Sequence, residues 1–261
     1  MCAVCGCGPS HERHPHAHGG DEEAPHRHPH PEPGDTAHGS PRVVRLEQDL
    51  LAKNDAIARQ TRAWLESRGV VAINLTSSPG AGKTTLLEGI IPRLREQAHV
   101  CVIEGDQETD RDAERIRRTG CPVVQINTGA GCHLDADMVR RAVESLDPPR
   151  ASLLLVENVG NLVCPALFDI GENAKVVVMS ITEGEDKPLK YPHMFRAARA
   201  VVVSKMDLLP HLHFDLDLCL KSIAGVNPAA ELFFVSSTRG EGLEALCRWM
   251  TGAVHSGNGR A

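Results

Sequence analysis

Residues 77–84, Ser-Ser-Pro-Gly-Ala-Gly-Lys-Thr, combine the residue types that bind the phosphate chain of a nucleotide. Gly80 and Gly82 place no side chain between the backbone N–H groups and the phosphate oxygens. Lys83 supplies a cation for the β- and γ-phosphates, and the Thr84 hydroxyl is a ligand for Mg²⁺. An apolar run precedes the stretch and a helical pattern follows it, which is the context that such a loop requires. We therefore predict a nucleotide-binding loop composed of Gly80, Ala81, Gly82, Lys83, Thr84 and Thr85.

The loop departs from the usual pattern G-x-x-x-x-G-K-[ST] at its first position, where Ser77 stands instead of glycine. The first position faces away from the phosphates, so the predicted contacts stay in place. The alternative is a glycine-rich turn between a strand and a helix that binds nothing. Because Gly-Lys-Thr-Thr follows a strand here, the residues favour the nucleotide site.

Acidic residues end two of the predicted strands, at the sheet edge where open α/β sheets bind their ligands. Asp106 follows the strand 99–104, and Glu157 follows the continuous apolar run 151–156. Glu157 and Gly160 have the spacing of the D-x-x-G switch of GTPases, with glutamate in place of aspartate. We expect Asp106 and Glu157 to act on Mg²⁺ or its water, and the Gly160 N–H to contact the γ-phosphate.

A further acidic position lies in the segment 109–116, which has the pattern of a capped helix start and the character of a switch segment. Asp112 in this segment is a candidate catalytic carboxylate. An equally good interpretation is that Asp110 and Asp112 complement the dipole of the helix at its N-terminus. The two interpretations stay open, and the sequence identifies no residue that positions the attacking water.

The segment Ser204-Lys205-Met-Asp207 resembles the N-K-x-D motif of GTPases, with serine in place of asparagine. Asp207 would accept hydrogen bonds from N1–H and the N2 amine of guanine, while the Lys205 stem packs on the base. Adenine has neither donor, so the carboxylate would select guanine. The segment 231–238 supplies a last strand and then a serine-rich loop, and Ser236 is expected at the edge of the base.

Three thiols lie within the first seven residues, at Cys2, Cys5 and Cys7. Thiolates at this spacing can converge on one ion and favour Zn²⁺, Cu(I) or Ni²⁺. A backbone nitrogen or the terminal amine would complete a four-coordinate site, and a planar version of that site suits Ni²⁺. The alternative is a tail whose cysteines are incidental.

A low-complexity segment over 11–38 holds eight histidines among prolines, glycines and acidic residues. It has too few apolar side chains to offset the entropy of ordering the chain, so we expect disorder. Tracts of this composition are typical of metal binding, here as a weak reservoir for Ni²⁺ or Zn²⁺. A solubilising linker or a purification tag are the alternatives.

Cys132 and His133 lie side by side in a glycine-flanked loop before a predicted helix. Two donors cannot fill the shell of a metal ion, so a third must come from elsewhere in the chain. Cys164, expected in an exposed connection four residues after Gly160, is the natural candidate. A metal ligand and a γ-phosphate contact then share one loop, which predicts that the nucleotide state controls the metal site.

The 261 residues divide into a cysteine motif (1–8), a histidine-rich segment (9–42), a nucleotide-binding domain with a leading helix (43–255) and a flexible tail (256–261).

The composition excludes several classes of protein. The net charge of −6 gives no basic surface that would indicate nucleic-acid binding. No apolar run approaches the ~20 residues that cross a membrane. Nine cysteines without an export signal indicate reduced thiols in the cytoplasm. A charged loop with two prolines is expected over 182–192.

Taken together, these motifs resemble the HypB family of hydrogenase nickel-incorporation GTPases over most of the chain. The shared features are the terminal cysteines, the histidine tract, the phosphate loop, Cys132-His133, Glu157-Asn-Val-Gly-Asn-Leu-Val-Cys164, Thr182-Glu-Gly-Glu-Asp-Lys-Pro and Ser204-Lys-Met-Asp207. The resemblance implies an α/β P-loop NTPase fold, a SIMIBI-type G domain with a mostly parallel sheet flanked by helices.

The resemblance also implies a function. Cys2, Cys5 and Cys7 would form a tight Ni²⁺ site, and Cys132, His133 and Cys164 a second Ni²⁺/Zn²⁺ site at the interface of a homodimer that depends on GTP and metal. Such a protein delivers nickel to the [NiFe]-hydrogenase large subunit precursor together with a HypA-type metallochaperone.

Two alternatives remain at this point. Urease accessory GTPases are related, but they carry Cys-Pro-His where Cys132 and His133 are adjacent here, and a terminal cysteine cluster would be out of place in them. Nickel storage by the histidine tract, with a vestigial nucleotide site, is the other. The intact Gly82-Lys83-Thr84 and Asp207 argue against a dead site.

Overall fold

The computed structural model describes residues 41–107, 111–129 and 131–257. The predictions for Cys2, Cys5, Cys7 and the histidine tract up to residue 40 lie outside these ranges, as do Asp110 and the last four residues. The chain divides into two units, Met1–Leu50 and Leu51–Ala261. The first contributes to the described residues only the start of a helix that begins at Pro41. The second contributes every other element.

Seven strands are present in the described ranges, and each predicted apolar run corresponds to one of them. They are β1 (Val71–Ser77), β2 (His99–Asp106), β3 (Val123–Asn127), β4 (Ser152–Glu157), β5 (Ala174–Ser180), β6 (Ala200–Ser204) and β7 (Glu231–Phe234). All of the pairings between them are parallel, in the order β3-β2-β4-β1-β5-β6-β7. The central strands are buried along their whole length, because helices cover both faces of the sheet.

The helices of the described ranges lie between or beside these strands. They are α1 (Pro41–Ser67), α2 (Lys83–Arg95), α3 (Arg111–Arg117), α4 (Ala136–Leu146), α5 (Cys164–Leu167), α6 (Lys187–Lys190), α7 (Pro192–Ala197), α8 (Leu216–Val226) and α9 (Leu243–Gly257). None of them is both long and apolar enough to cross a membrane. The predicted α/β fold with a parallel sheet flanked by helices is confirmed.

Apolar side chains pack on both faces of the sheet. On one face, α2 and α9 cover β1 through residues such as Leu87, Ile90 and Leu246. On the other, α4 and the end of α1 cover β2 and β4, with Val139 and Leu65 in the contact. Because helices fill both faces, the carboxyl ends of the strands, where the loops lie, are the expected place for a ligand.

One prediction about local structure was confirmed and another was wrong. As predicted, the segment 231–238 consists of a strand, which ends at Phe234, and a loop, in which Ser236 exchanges backbone hydrogen bonds with Glu241. The charged segment over 182–192, expected as a loop, contains the short helix α6, and a second short helix, α7, begins at its last residue, Pro192. Each has a proline in its first turn, where the missing N–H costs nothing.

Gly242 fixes the turn that follows β7. Its φ of +74° lies in the left-handed region, and a Cβ there would meet the carbonyl oxygen of Phe234. The same turn holds Ser236 through the two N–H···O bonds of 3.1 Å that it exchanges with Glu241. Gly242 is therefore required for the position of the serine-rich loop.

Replacing Gly242 with alanine should lower the free energy of unfolding by more than about 1–2 kcal/mol, the cost of the left-handed conformation alone. Gly225 in α8 is the matched control, because its φ is ordinary and the space around it is open. Gly225→Ala should leave stability unchanged or raise it by up to about 0.5–1 kcal/mol. Urea unfolding compares the two, and equal stabilities would contradict this assignment.

Candidate functional site

The loop between β1 and α2 has the conformation of a phosphate cradle. Gly80 and Gly82 have φ values of +75° and +93°, which let the backbone curl without a Cβ clash. Helix α2 begins at Lys83, and Gly82 before it has no side chain to cap the helix. The N–H groups of the first turn and the positive end of the helix dipole are thus available to an anion.

Ser77 has a specific contact in place of the missing glycine. The Lys83 ammonium donates a hydrogen bond of 2.7 Å to the Ser77 hydroxyl, and both side chains are buried. Burial lowers the pKa of Lys83, against the opposing field of Glu157. Ser77 therefore holds the lysine ammonium inside the loop.

A cleft of about 490 Å³ opens in front of this loop. Most of the predicted nucleotide and Mg²⁺ residues line it, and Glu104, Gln107 and Arg115, which the motifs did not identify, line it as well. The predicted residues in the lining are Gly80, Gly82, Lys83, Thr84, Thr85, Asp106, Asp112, Glu157, Gly160 and Lys205.

Two buried carboxylates meet at the floor of the cleft. Glu104 and Glu157 are partners in the register of β2 and β4, and they are 2% and 4% exposed. The Thr84 hydroxyl donates a 2.7 Å hydrogen bond to Glu157 Oε1. The Oε2 atoms of both glutamates find no hydrogen-bond partner within the described ranges. Unsatisfied carboxylate oxygens beside a threonine hydroxyl form a donor set that fits Mg²⁺.

The pKa shifts of the two glutamates at the floor of the cleft also favour a bound cation. Burial, then the Glu157 charge, raises the pKa of Glu104 to about 8. Burial also raises the pKa of Glu157 to about 7, opposed by Lys83 and by the Thr84 hydrogen bond. Two such groups resist ionisation together unless a cation lies between them.

Asp112 is held by Arg115 on α3. The Arg115 guanidinium lies 3.1 Å from Asp112, 2.6 Å from Glu88 and 3.0 Å from the Thr85 hydroxyl. Arg115 and Asp112 on α3 are therefore linked to Glu88 and Thr85 on α2 at the mouth of the cleft. Asp112 as a catalytic carboxylate stays a prediction.

A second cavity of about 280 Å³ lies behind the phosphate loop. Ala81, Lys205 and Asp207 line it, together with Ser237 and Thr238. Lys205 lies across the loop and donates a 2.7 Å hydrogen bond to the Gly80 carbonyl. Beside it, the Ser204 hydroxyl donates to the Ala81 carbonyl at 2.7 Å. A cavity with one carboxylate among small and apolar groups suits a purine ring.

Ser236 orients that carboxylate from behind. It is fully buried and donates a 2.6 Å hydrogen bond to Asp207 Oδ1, which lowers the pKa of Asp207 and keeps it an ionised acceptor. Ser237 and Thr238, not Ser236, are the residues of this loop that line the cavity.

Cys132, His133 and Cys164 come together beyond the end of β4. Their potential ligand atoms all lie within 4.8 Å of one another. The two Sγ atoms are 3.0 Å apart, and Cys132 Sγ is 3.5 Å from His133 Nδ1. Two thiols and an imidazole form a donor set suited to Ni²⁺ or Zn²⁺, with one position left for another donor.

The expectation that Cys164 is exposed was wrong. It starts the short helix α5 and is 1% exposed. Its sulfur lies 3.0 Å from Cys132 Sγ, on the loop after β3. His133 packs against Phe168 with ring centroids 4.1 Å apart, and burial lowers its pKa, which favours the neutral imidazole that binds metals.

The fold, the phosphate loop and the two adjoining cavities define a P-loop nucleotide-binding protein. A family model described as CobW/HypB/UreG, nucleotide-binding domain, matches residues 71–234. The hydrogenase maturation factor HypB of Rhizobium leguminosarum bv. viciae is 54% identical over 209 residues, which cover 80% of this chain and 70% of that protein.

Two solved structures have the same fold. HypB from Archaeoglobus fulgidus is 36% identical with a TM-score of 0.72, covering 78% of this chain and 99% of its own. HypB from Helicobacter pylori in complex with nickel is 36% identical with a TM-score of 0.73, covering 78% and 96%. The chain belongs to the HypB family of hydrogenase maturation factors, within the wider CobW/HypB/UreG family.

Gly160 packs tightly against the phosphate loop. A Cβ built there would lie 3.0 Å from the Cα and N atoms of Pro79. Gly160→Ala should push the two loops apart at an overpacking cost of about 1–3 kcal/mol, and lower the affinity for a nucleotide roughly 5- to 150-fold. Titration with a fluorescent nucleotide measures this, with Gly225→Ala as control. Unchanged affinity in Gly160→Ala would contradict the contact.

Proposed function

We propose that this protein is a GTPase that binds nickel and uses GTP hydrolysis to release it into the [NiFe]-hydrogenase large subunit precursor during hydrogenase maturation. One observation carries the proposal. Residues 157–164, named here the switch loop, begin at Glu157 in the phosphate cleft and end at Cys164 in the thiol cluster. A change at the phosphate end therefore reaches a metal ligand within eight residues.

Guanine selection rests on the second cavity. An ionised Asp207 accepts from the N1–H and N2 amine of guanine, and adenine leaves that acceptor unpaired. Lys205, which already lies across the phosphate loop, covers one face of the base. Ser236 contributes by holding the carboxylate.

Hydrolysis depends on positive charge and N–H donors that are already in position around the phosphates before the reaction begins. Lys83 is positioned for the β- and γ-phosphates, and the N–H groups of the loop and of the α2 terminus surround the anion. Thr84, Glu157, Glu104 and Asp106 would hold Mg²⁺, which, when bound, neutralises the charge that develops on the phosphate oxygens. The Gly160 N–H would donate to the γ-phosphate, and that hydrogen bond would break once the γ-phosphate leaves.

Nickel is the cargo of the thiol cluster. Cys132, His133 and Cys164 provide three donors, so a second copy of the chain brought close by GTP would complete or extend the shell. A homodimer that depends on GTP and metal follows from that shortage of donors. The similar H. pylori protein was solved in complex with nickel, which supports nickel over zinc, although the donor set accepts both.

Delivery requires a donor and an acceptor. The HypB family names a maturation role, and nickel released from the cluster would pass to the hydrogenase large subunit precursor. A HypA-type metallochaperone is the proposed companion in that transfer. Storage in the histidine tract would need no intact nucleotide cleft, so the organised cleft favours delivery.

Asp207→Asn tests the choice of base. The substitution removes the acceptor for N1–H and N2–H₂, so GTP affinity should fall ~100-fold or more. Xanthine carries an oxygen where guanine carries its N2 amine, so the new amide should raise affinity for xanthosine triphosphate. Competition between the two nucleotides measures the change. Equal affinity of the unmodified chain for ATP and GTP would refute guanine selection.

Cys164→Ala tests the metal cluster. In a full chain that also carries Cys2→Ala, Cys5→Ala and Cys7→Ala, Ni²⁺ affinity should fall more than ~100-fold, since even an outer-shell partner contributes 10–100-fold. Thiolate-to-nickel charge-transfer absorption isolates this site from histidine-bound metal. Cys219→Ala is the matched control, because Cys219 is equally buried but lies in α8. Retention of the band in Cys164→Ala would contradict the ligand assignment.

A further inference from the structure

We propose that Asn161 is a positioning residue that attaches the Cys132 ligand to the switch loop, so that one loop movement displaces two of the three metal ligands. The inference rests on the proposed function and deepens it. Cys164 moves because it belongs to the switch loop, but Cys132 and His133 lie on a different loop, after β3. The structure supplies the connection between the two loops.

Asn161 bridges the loops with both ends of its amide. Its Nδ2 donates a 3.2 Å hydrogen bond to the Cys132 carbonyl oxygen, and its Oδ1 accepts a 2.7 Å hydrogen bond from the Val163 N–H. The second bond fixes the side chain against its own loop, so the first transmits any shift of that loop to Cys132. The side chain is half-buried and lies outside the phosphate cleft.

The start of the switch loop is anchored to the sheet. Asn158 is 1% exposed, and its backbone N–H donates to the Leu75 carbonyl at 3.0 Å. Its Nδ2 donates to Asn74 Oδ1 at 3.3 Å, and its Oδ1 accepts from the Leu134 N–H at 3.1 Å. Asn158 therefore holds Leu134, the residue after His133, to the rigid central strands.

The far end of the switch loop is anchored to the same buried network. Lys175 donates a 2.7 Å hydrogen bond to the Pro165 carbonyl, directly after Cys164. Its ammonium lies 3.4 Å from Glu172, which in turn accepts from Asn74 at 3.3 Å. Both anchors thus meet at Asn74 in β1, and the residues between them form the part of the loop that can shift.

Gly160 lies inside that part, against Pro79 of the phosphate loop. A γ-phosphate that draws Gly160 toward itself would move Asn161, its neighbour, and with it the Cys132 carbonyl. Leu134 stays with Asn158, so His133 lies between a held residue and a displaced one. The distances among the three ligands then change together, which a movement of Cys164 alone would not achieve.

The test compares Ni²⁺ affinity in two nucleotide states. The full chain with Cys2→Ala, Cys5→Ala and Cys7→Ala is titrated with Ni²⁺ in the presence of GDP and then of a non-hydrolysable GTP analogue, followed by charge-transfer absorption. The ratio of the two affinities should be roughly 5- to 150-fold, the usual range of coupling between sites. Adding Asn161→Ser should reduce that ratio to about twofold or less, because serine still accepts from Val163 N–H but is too short to reach Cys132.

Asn227→Ser is the matched control, since Asn227 also joins two segments by donating to carbonyl groups, those of Phe195 and Ala198, away from the site. Its ratio should equal that of the parent. If Asn161→Ser keeps the parent's ratio of affinities, the inference is overturned. This includes the case in which the substitution weakens Ni²⁺ binding equally in both nucleotide states, which indicates a merely structural role. A ratio of one in the parent chain itself would instead refute the proposed coupling of GTP to nickel, and this inference with it.

Discussion

The burial of Glu157 at the end of β4 is the constraint on which the rest of the site depends. Its carboxylate accepts from Thr84 on one side and faces Glu104 on the other, and only 4% of the residue is exposed. This fixes the start of the switch loop against the phosphate loop. Everything that follows along the chain, from Gly160 to Cys164, is positioned relative to that fixed point.

The same burial leads us to expect that nucleotide binding in the cleft depends on a cation. Lys83 is held in place by Ser77, yet it faces a floor with more carboxylate than it can neutralise. A nucleotide alone would add further negative charge to this cleft. A nucleotide with a divalent cation instead supplies what the two glutamates lack, so binding of the pair is expected to be strongly cooperative.

The sequence was informative where one stretch of chain determines the outcome. Buried parallel strands appear as apolar runs, and the phosphate loop carries its own glycines, lysine and threonine, so both were predicted to within a residue or two. Glu104 was missed because an acidic residue in a strand gave no sign of which face it occupies. Cys164 was expected to be exposed because its sequence neighbours resemble an exposed connection, and its contact with Cys132 joins loops that are distant in sequence.

The contact between Asn161 and Cys132 could not be predicted for a related reason. The loops that bear these residues follow β4 and β3, which are separated in the sheet by β2. The hydrophobic pattern of a single segment does not reveal the order of the strands in the sheet. The fold is therefore needed to know which loops meet at the sheet edge. The motifs identified the candidate phosphate-binding and metal-binding residues, and the strand order determined which of these residues lie close together.

The most direct test of the account is the spectrum of bound nickel in the two nucleotide states. The full chain with alanine at positions 2, 5 and 7 is loaded with one equivalent of Ni²⁺ and saturated with GDP, and GDP is then exchanged for a non-hydrolysable GTP analogue. If the nucleotide state controls the metal site, the thiolate-to-nickel absorption should change in position or intensity on exchange. Superimposable spectra at saturating nucleotide would contradict it.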